Sequence, residues 1–162
     1  MSDVSPLIRA AVFVSDLEKS IKFYTDVLGY EEIFFKGDLG EPFISKLLGM
    51  PGTSFTRAII LKQAGPSFGM IGLFETTKPV PPELTKSHGG CHIGEICMVF
   101  YCSDLQETCE KLARYGSTII AEPEILDIEA IPGRGQREMT FLGPDGEMFN
   151  FIEMDPKEAF EG

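Results

Sequence analysis

The sequence predicts an α+β chain made of two βαβββ modules, and three observations carry that expectation. One segment occurs twice. Each copy runs from a strand-like apolar stretch straight into a capped helix. Each helix is followed by three more strand-like runs.

The first copy reads Arg9-Ala-Ala-Val-Phe-Val-Ser-Asp-Leu-Glu-Lys-Ser-Ile-Lys-Phe-Tyr-Thr-Asp-Val-Leu-Gly29. The second reads Cys97-Met-Val-Phe-Tyr-Cys-Ser-Asp-Leu-Gln-Glu-Thr-Cys-Glu-Lys-Leu-Ala-Arg-Tyr-Gly116. Ser15-Asp16-Leu17 superposes on Ser103-Asp104-Leu105, with the closing glycines one residue out of step. Ser or Asp accepts hydrogen bonds from the free N–H groups that open a helix, and glycine tolerates the left-handed turn that closes one. Leu17, Ile21, Tyr24 and Leu28 recur at helical spacing, as do Leu105, Cys109 and Leu112, so one face of each helix is expected to pack on a sheet.

The runs Glu31 to Phe35, Arg57 to Lys62 and Met70 to Glu75 read as strands of the first module. Thr118 to Ala121, Arg137 to Leu142 and Met148 to Glu153 read as strands of the second. Gly143-Pro144-Asp145-Gly146 between the last two is a hairpin signal. Thr76 to Gly90, rich in Pro, Gly, Thr and Lys and without periodicity, reads as the linker, so the modules span about 7–78 and about 91–155 of one domain covering 1–162. Gly37 to Ser54 carries Leu39, Phe43, Ile44, Leu47 and Leu48 at near-helical spacing and reads as a short helix or lid, or as a surface insertion packing only on its own sheet.

Hydrophobic residues at 43% and charged residues at 24% argue against disorder and point to a folded soluble domain. A net charge of −11 opposes a polyanion, so nucleic acid is not an expected partner. The longest apolar runs fall far short of the roughly 20 residues that cross a bilayer, and Met1 to Pro6 has neither the basic start nor the apolar stretch of a signal peptide. A cytoplasmic location with no membrane partner is the resulting expectation. Cys91, Cys97, Cys102 and Cys109 are expected to be reduced thiols. No Cys-x-x-Cys pair is present, and Cys97 and Cys102 point to opposite faces of a strand, which argues against zinc even with His88 and His92 nearby.

Val14-Ser-Asp-Leu-Glu-Lys-Ser-x-x-Phe-Tyr24 with Leu28-Gly29, and Gly143-Pro-Asp-Gly146 before the last strand, resemble the vicinal oxygen chelate superfamily. That superfamily includes glyoxalase, methylmalonyl-CoA epimerase, extradiol dioxygenases, and bleomycin- and fosfomycin-resistance proteins. The resemblance covers roughly residues 7 to 155. It implies paired modules whose mixed sheets curve around a central cleft, and in the metal enzymes a ligand on the first and last strand of each module.

The resemblance places those ligand positions at Arg9, Gly72, Cys97 and Asn150, where His or Gln, Glu, His and Glu would be usual. A divalent ion needs about three or four oxygen or nitrogen donors, and a guanidinium at one corner repels it. No metal and no other cofactor is therefore expected. Strand alternation groups Ala11 and Phe13 with Arg9, Met70 and Phe74 with Gly72, Glu95, Val99 and Tyr101 with Cys97, and Met148 and Ile152 with Asn150. The candidate ligand-binding residues are Arg9, Phe13, Met70, Phe74, Glu95, Cys97, Tyr101, Met148 and Asn150, an apolar surface with few polar points that reads either as a small-molecule pocket or as a filled core.

Arg9 offers a planar fork suited to a carboxylate or enolate oxygen, or else pairs internally with Glu95. Glu95 is a candidate base with a pKa raised by burial, Asn150 a neutral hydrogen-bonding group, and Cys97 a nucleophile or a plain buried thiol. Two functions remain open. One is a glyoxalase/bleomycin-resistance-like protein that binds an organic molecule without metal. The other is a lyase, isomerase or dioxygenase-type enzyme acting on a carbonyl or vicinal-oxygen substrate, with Glu95 or the His88/His92 pair as base. Unsatisfied sheet edges and the habit of the family point to a homodimer.

Overall fold

In the computed structural model, residues 3–40, 43–52, 54–86, 90–126 and 135–160 are described, the side chains of 43, 44, 159 and 160 excepted. The chain divides into two compact units, Met1–Thr85 and Lys86–Gly162. Each is a βαβββ module carrying one four-stranded mixed sheet, with short additional helices, so the fold is α+β.

In the first unit, β1 (Arg9–Phe13) leads into α1 (Leu17–Leu28), followed by β2 (Glu32–Leu39), a short α2 (Phe43–Leu48), β3 (Phe55–Lys62) and β4 (Met70–Thr77). In the second, β5 (Cys97–Cys102) leads into α3 (Leu105–Tyr115), then β6 (Ile119–Ile125), β7 (Arg137–Leu142), β8 (Met148–Glu153) and a short α4 (Pro156–Phe160). The sheet orders β1-β4-β3-β2 and β5-β8-β7-β6 are the same topology twice, with the first strand parallel to the last and the remaining pairs antiparallel.

The helix caps follow the sequence signals. The Asp16 carboxylate accepts from the Lys19 N–H at 3.0 Å and that of Asp104 from the Glu107 N–H at 2.8 Å. Gly29 and Gly116 close their helices at φ 70° and 63°, where a side chain is disfavoured. Ser20 and Thr108 occupy equivalent places, each hydroxyl donating back to the carbonyl of its capping Asp at 2.9 and 3.0 Å. Both are buried, so Ser20 and Thr108 stand on the packed faces, where the spacing had suggested Ile21 and Cys109, which are half-buried.

The two sheets bury their helix-facing sides with different chemistry. In the first unit Ile59, Leu61, Ile71 and Leu73 share that side with Arg57 and Glu75 and are almost fully buried. The Leu17 N–H donates to the Glu75 carboxylate at 3.2 Å, and Arg57 bridges Glu75 at 3.0 Å and Glu18 at 2.6 Å, which ties the start of α1 to this sheet. In the second unit the equivalent side is aromatic. Phe141 stacks on Phe149 at 5.3 Å and meets Phe151 edge-on at 5.0 Å, with Phe100 against Phe151 at 5.8 Å. A sulfur–hydroxyl contact of 3.3 Å between Cys102 and Thr108 joins α3 to that side.

Some boundaries differ from expectation. β2 runs on to Leu39, taking up the start of the stretch read as a lid, and α2 accounts for Phe43 to Leu48 of the rest. β4 takes in Thr76 and Thr77, so the linker begins later, because Thr76 pairs with Thr56 through a buried hydroxyl contact of 2.8 Å. β6 continues to Ile125 through Pro123, which an edge strand tolerates because one side of its backbone needs no partner. α4 was not anticipated; it opens on Pro156, with Asp155 accepting from the Lys157 N–H at 2.9 Å. Among the described residues no helix is long and apolar enough to cross a membrane.

Candidate functional site

The face of the first sheet opposite α1 gathers the first unit's candidate residues. β1 and β4 run parallel with Arg9 opposite Met70, Ala11 opposite Gly72 and Phe13 opposite Phe74, so these six positions share one side. β3 adds Ala58 beside Phe74 and Ile60 beside Gly72. Met70 and Phe74 are buried, Arg9 is half-buried, and Phe13 is 42% exposed. The Phe13 and Phe74 rings lie 5.8 Å apart and tilted.

Gly72 is the pivot of this face. A Cβ built on it would meet the Phe74 ring at 2.7 Å and Arg9 Cδ at 3.1 Å, so the two side chains close over the glycine from either direction along the strands. Gly72 is not in the left-handed region, and its want of a side chain is a matter of room. Among the described residues the Arg9 side chain has no ion-pair or hydrogen-bond partner.

The second sheet repeats the register. Cys97 lies opposite Met148, Val99 opposite Asn150 and Tyr101 opposite Ile152, on the side away from α3. Cys97 thus stands where Arg9 does, and Asn150 where Gly72 does, the same equivalence that the family resemblance had implied. Asn150 donates from Nδ2 to the Thr140 hydroxyl at 3.2 Å across the β7–β8 pair. Thr140 was missed in the sequence, although counting back across the hairpin at Gly143–Gly146 would have paired it with Asn150. Partial desolvation raises the pKa of the Cys97 thiol, with Cys91 and Glu95 adding to the shift, which disfavours a thiolate nucleophile.

Glu95 lies ahead of β5 rather than in it. Its carboxylate is bonded by Lys86, accepts from the His92 N–H at 3.1 Å, and has the His92 ring at 3.7 Å. These partners, Lys86 first, hold its pKa below the ordinary value. That corrects the expectation of a base with raised pKa, since hydrogen bonds to the charged form outweigh desolvation here. His88 lies outside the described residues.

These positions do not fit a divalent metal. Gly72 has no donor and no room for one, Asn150 is bonded to Thr140 and Arg9 carries a fixed charge, which leaves the Cys97 thiol short of the three or four donors an ion needs. No group of three or more His, Cys, Asp or Glu suited to a metal is found among the described residues. The six facing positions of each sheet instead offer apolar surface, with one guanidinium in the first unit and an amide, a thiol and a phenol in the second.

Comparison with solved structures finds the same fold in distant sequences. A glyoxalase family protein from Bacillus cereus matches with a TM-score of 0.72 at 14% identity, covering 94% of this chain and 97% of that one. The trypanothione-dependent glyoxalase I of Leishmania major matches with a TM-score of 0.59 at 18% identity, over 98% and 91% of the two chains. A glyoxylase/bleomycin resistance protein/dioxygenase domain from Frankia sp. matches with a TM-score of 0.58 at 16% identity, over 93% and 92%. No curated protein matches significantly. The family model for the Glyoxalase/Bleomycin resistance protein/Dioxygenase superfamily matches residues 7–151, and the chain belongs to that superfamily.

Proposed function

We propose that this chain binds a small organic molecule without a metal ion, and that Arg9 holds an oxygen of that molecule. The observation that carries the reading is the space over Gly72, which Arg9 Cδ and the Phe74 ring fill, at one of the positions Arg9, Gly72, Cys97 and Asn150 where the family resemblance implies metal ligands. A guanidinium presents a fixed positive charge and two parallel N–H donors, so it can take over the role of holding an oxygen that a metal ion plays elsewhere. Met70, Phe74 and Phe13 supply apolar surface beside Arg9 on the first sheet.

The test is elemental analysis of protein purified without chelators, followed by a thermal-shift screen of carbonyl and carboxylate compounds. The expected result is no stoichiometric zinc, iron, nickel or manganese, together with hits whose binding weakens by about 1.5–3 kcal/mol on Arg9→Ala, the range for a hydrogen bond to a charged group. Stoichiometric metal, or hits indifferent to Arg9, overturns the reading. A homodimer belongs to the same proposal. β1, β2, β5 and β6 are edge strands, and Ile33 and Phe34 on β2 are largely exposed. Sedimentation at tens of micromolar, a rough working range, decides between dimer and monomer.

A further inference from the structure

The side chains around Gly72 also say what kind of molecule the first sheet suits. Arg9 leans along β1 until its Cδ reaches the space above Gly72, and the Phe74 ring leans back along β4 into the same space. The stem of a cationic side chain and an aromatic ring therefore converge over one glycine. Phe13 continues the ring surface, close to Phe74 and still 42% exposed. Ala11, between Arg9 and Phe13 on the same side of β1, is small and exposed, so no large side chain of β1 stands between those two.

Charge sharpens the inference. The chain has 25 acidic against 14 basic side chains, so a partner for a guanidinium is easily supplied. Arg57, Lys62, Lys86, Lys111 and Arg137 each have a carboxylate; among the described residues Lys19, Lys36, Lys46, Arg114 and Lys157 have none but are exposed, whereas Arg9 has none and is half-buried. A half-buried cation left unpaired beside a partly open aromatic surface is complementary to an anion that carries a ring.

We infer that the ligand of this face is a flat aromatic monoanion of the aryl carboxylate class, its carboxylate on Arg9 and its ring against Phe13 and Phe74. This rests on the small-molecule reading above and narrows it to one chemical class. Ring pairs prefer offset or edge-on contact with centroids within about 7 Å; Phe13 and Phe74 already form such a pair, and the exposed Phe13 is the ring on which a ligand ring can extend it. Met70, buried, is the register partner of Arg9 on the same side of the sheet.

The experiment compares three probes on the full chain by titration NMR: 1-naphthoate, the uncharged 1-naphthalenemethanol, and the non-aromatic cyclohexanecarboxylate. Naphthoate is expected to bind at least about tenfold more tightly than either of the others, the lower end of what a charge-assisted hydrogen bond provides. Arg9→Gln is expected to abolish the preference for the anion, Arg9→Lys to keep part of it, and Phe13→Leu to abolish the preference for the aromatic ring. Phe13 is exposed enough that its change should leave folding intact. If the alcohol binds as well as naphthoate while Arg9→Gln weakens both, the aryl-anion assignment fails and the role of Arg9 stands; if Arg9→Gln changes neither, the role of Arg9 fails as well. If cyclohexanecarboxylate matches naphthoate, the aromatic part fails alone. If no probe binds at millimolar concentration, on the order of the weakest useful affinity, the aryl-anion assignment fails. The broader reading fails with it only if the thermal-shift screen is also empty.

Discussion

Arg9 Cδ stands 3.1 Å from the point where a side chain on Gly72 would begin, and that approach is possible only because residue 72 is a glycine. The two lie on neighbouring strands, with Ala11 directly opposite Gly72. The space that a side chain at 72 would need is closed by the stem of the arginine and by Phe74.

Gly72→Ala is expected to destabilise the protein by about 1–3 kcal/mol, the usual cost of overpacking a well-filled site. The Phe74 ring, 2.7 Å from the new methyl, is the group that has to move. Combining Gly72→Ala with Phe74→Leu should recover part of the loss, so urea denaturation of the two single variants and the double variant should show coupling. Additive losses would mean that the ring is not the obstacle.

Glu75 joins three things: the Leu17 N–H at the start of α1, Arg57 across the strand pair, and through Arg57 the exposed Glu18. Glu75→Gln keeps the shape and removes the charge. It should cost about 1–2 kcal/mol, since helix-capping and charge-assisted bonds are both weakened. Glu18→Gln should cost under about 1 kcal/mol, as exposed ion pairs do. Equal losses would contradict the assignment of Glu75 as the central member.

Tyr30 donates its hydroxyl to the Gly69 carbonyl at 2.7 Å, and burial pushes its pKa up to about 12 from 10.0. A raised pKa favours the protonated form in the folded state. The stabilisation is fully present below about pH 10 and is lost as the pH climbs toward about 12. Chemical denaturation across that window should show a decline that is shallower in Tyr30→Phe. An identical decline in the two proteins would remove Tyr30 from the cause.

The aromatic cluster under α3 should dominate the stability of the second unit. Phe141 and Phe149 are fully buried and stacked at 5.3 Å. Phe149→Ala is expected to cost about 3–5 kcal/mol from lost burial and the cavity it leaves. Hydrogen exchange should show the loss most strongly at the amides of β7 and β8. A loss below about 1 kcal/mol would mean that the site collapses around the gap.

The sequence by itself determined the modules, the helix starts at Asp16 and Asp104, the helix stops at Gly29 and Gly116, and the side of each strand on which Arg9, Phe13, Cys97 and Asn150 lie. Those signals are local: a cap is satisfied within three or four residues, and strand alternation is a property of the strand itself. Tertiary structure alone decided that Ala11 faces Gly72, that Arg9 and Phe74 meet over that glycine, that Glu75 caps a helix far away in the chain, and that Lys86 and His92 engage Glu95. These depend on register between distant strands and on which of several acids and bases the packed chain brings within bonding distance. Both are set by the summed packing of many side chains, which no short stretch of sequence encodes.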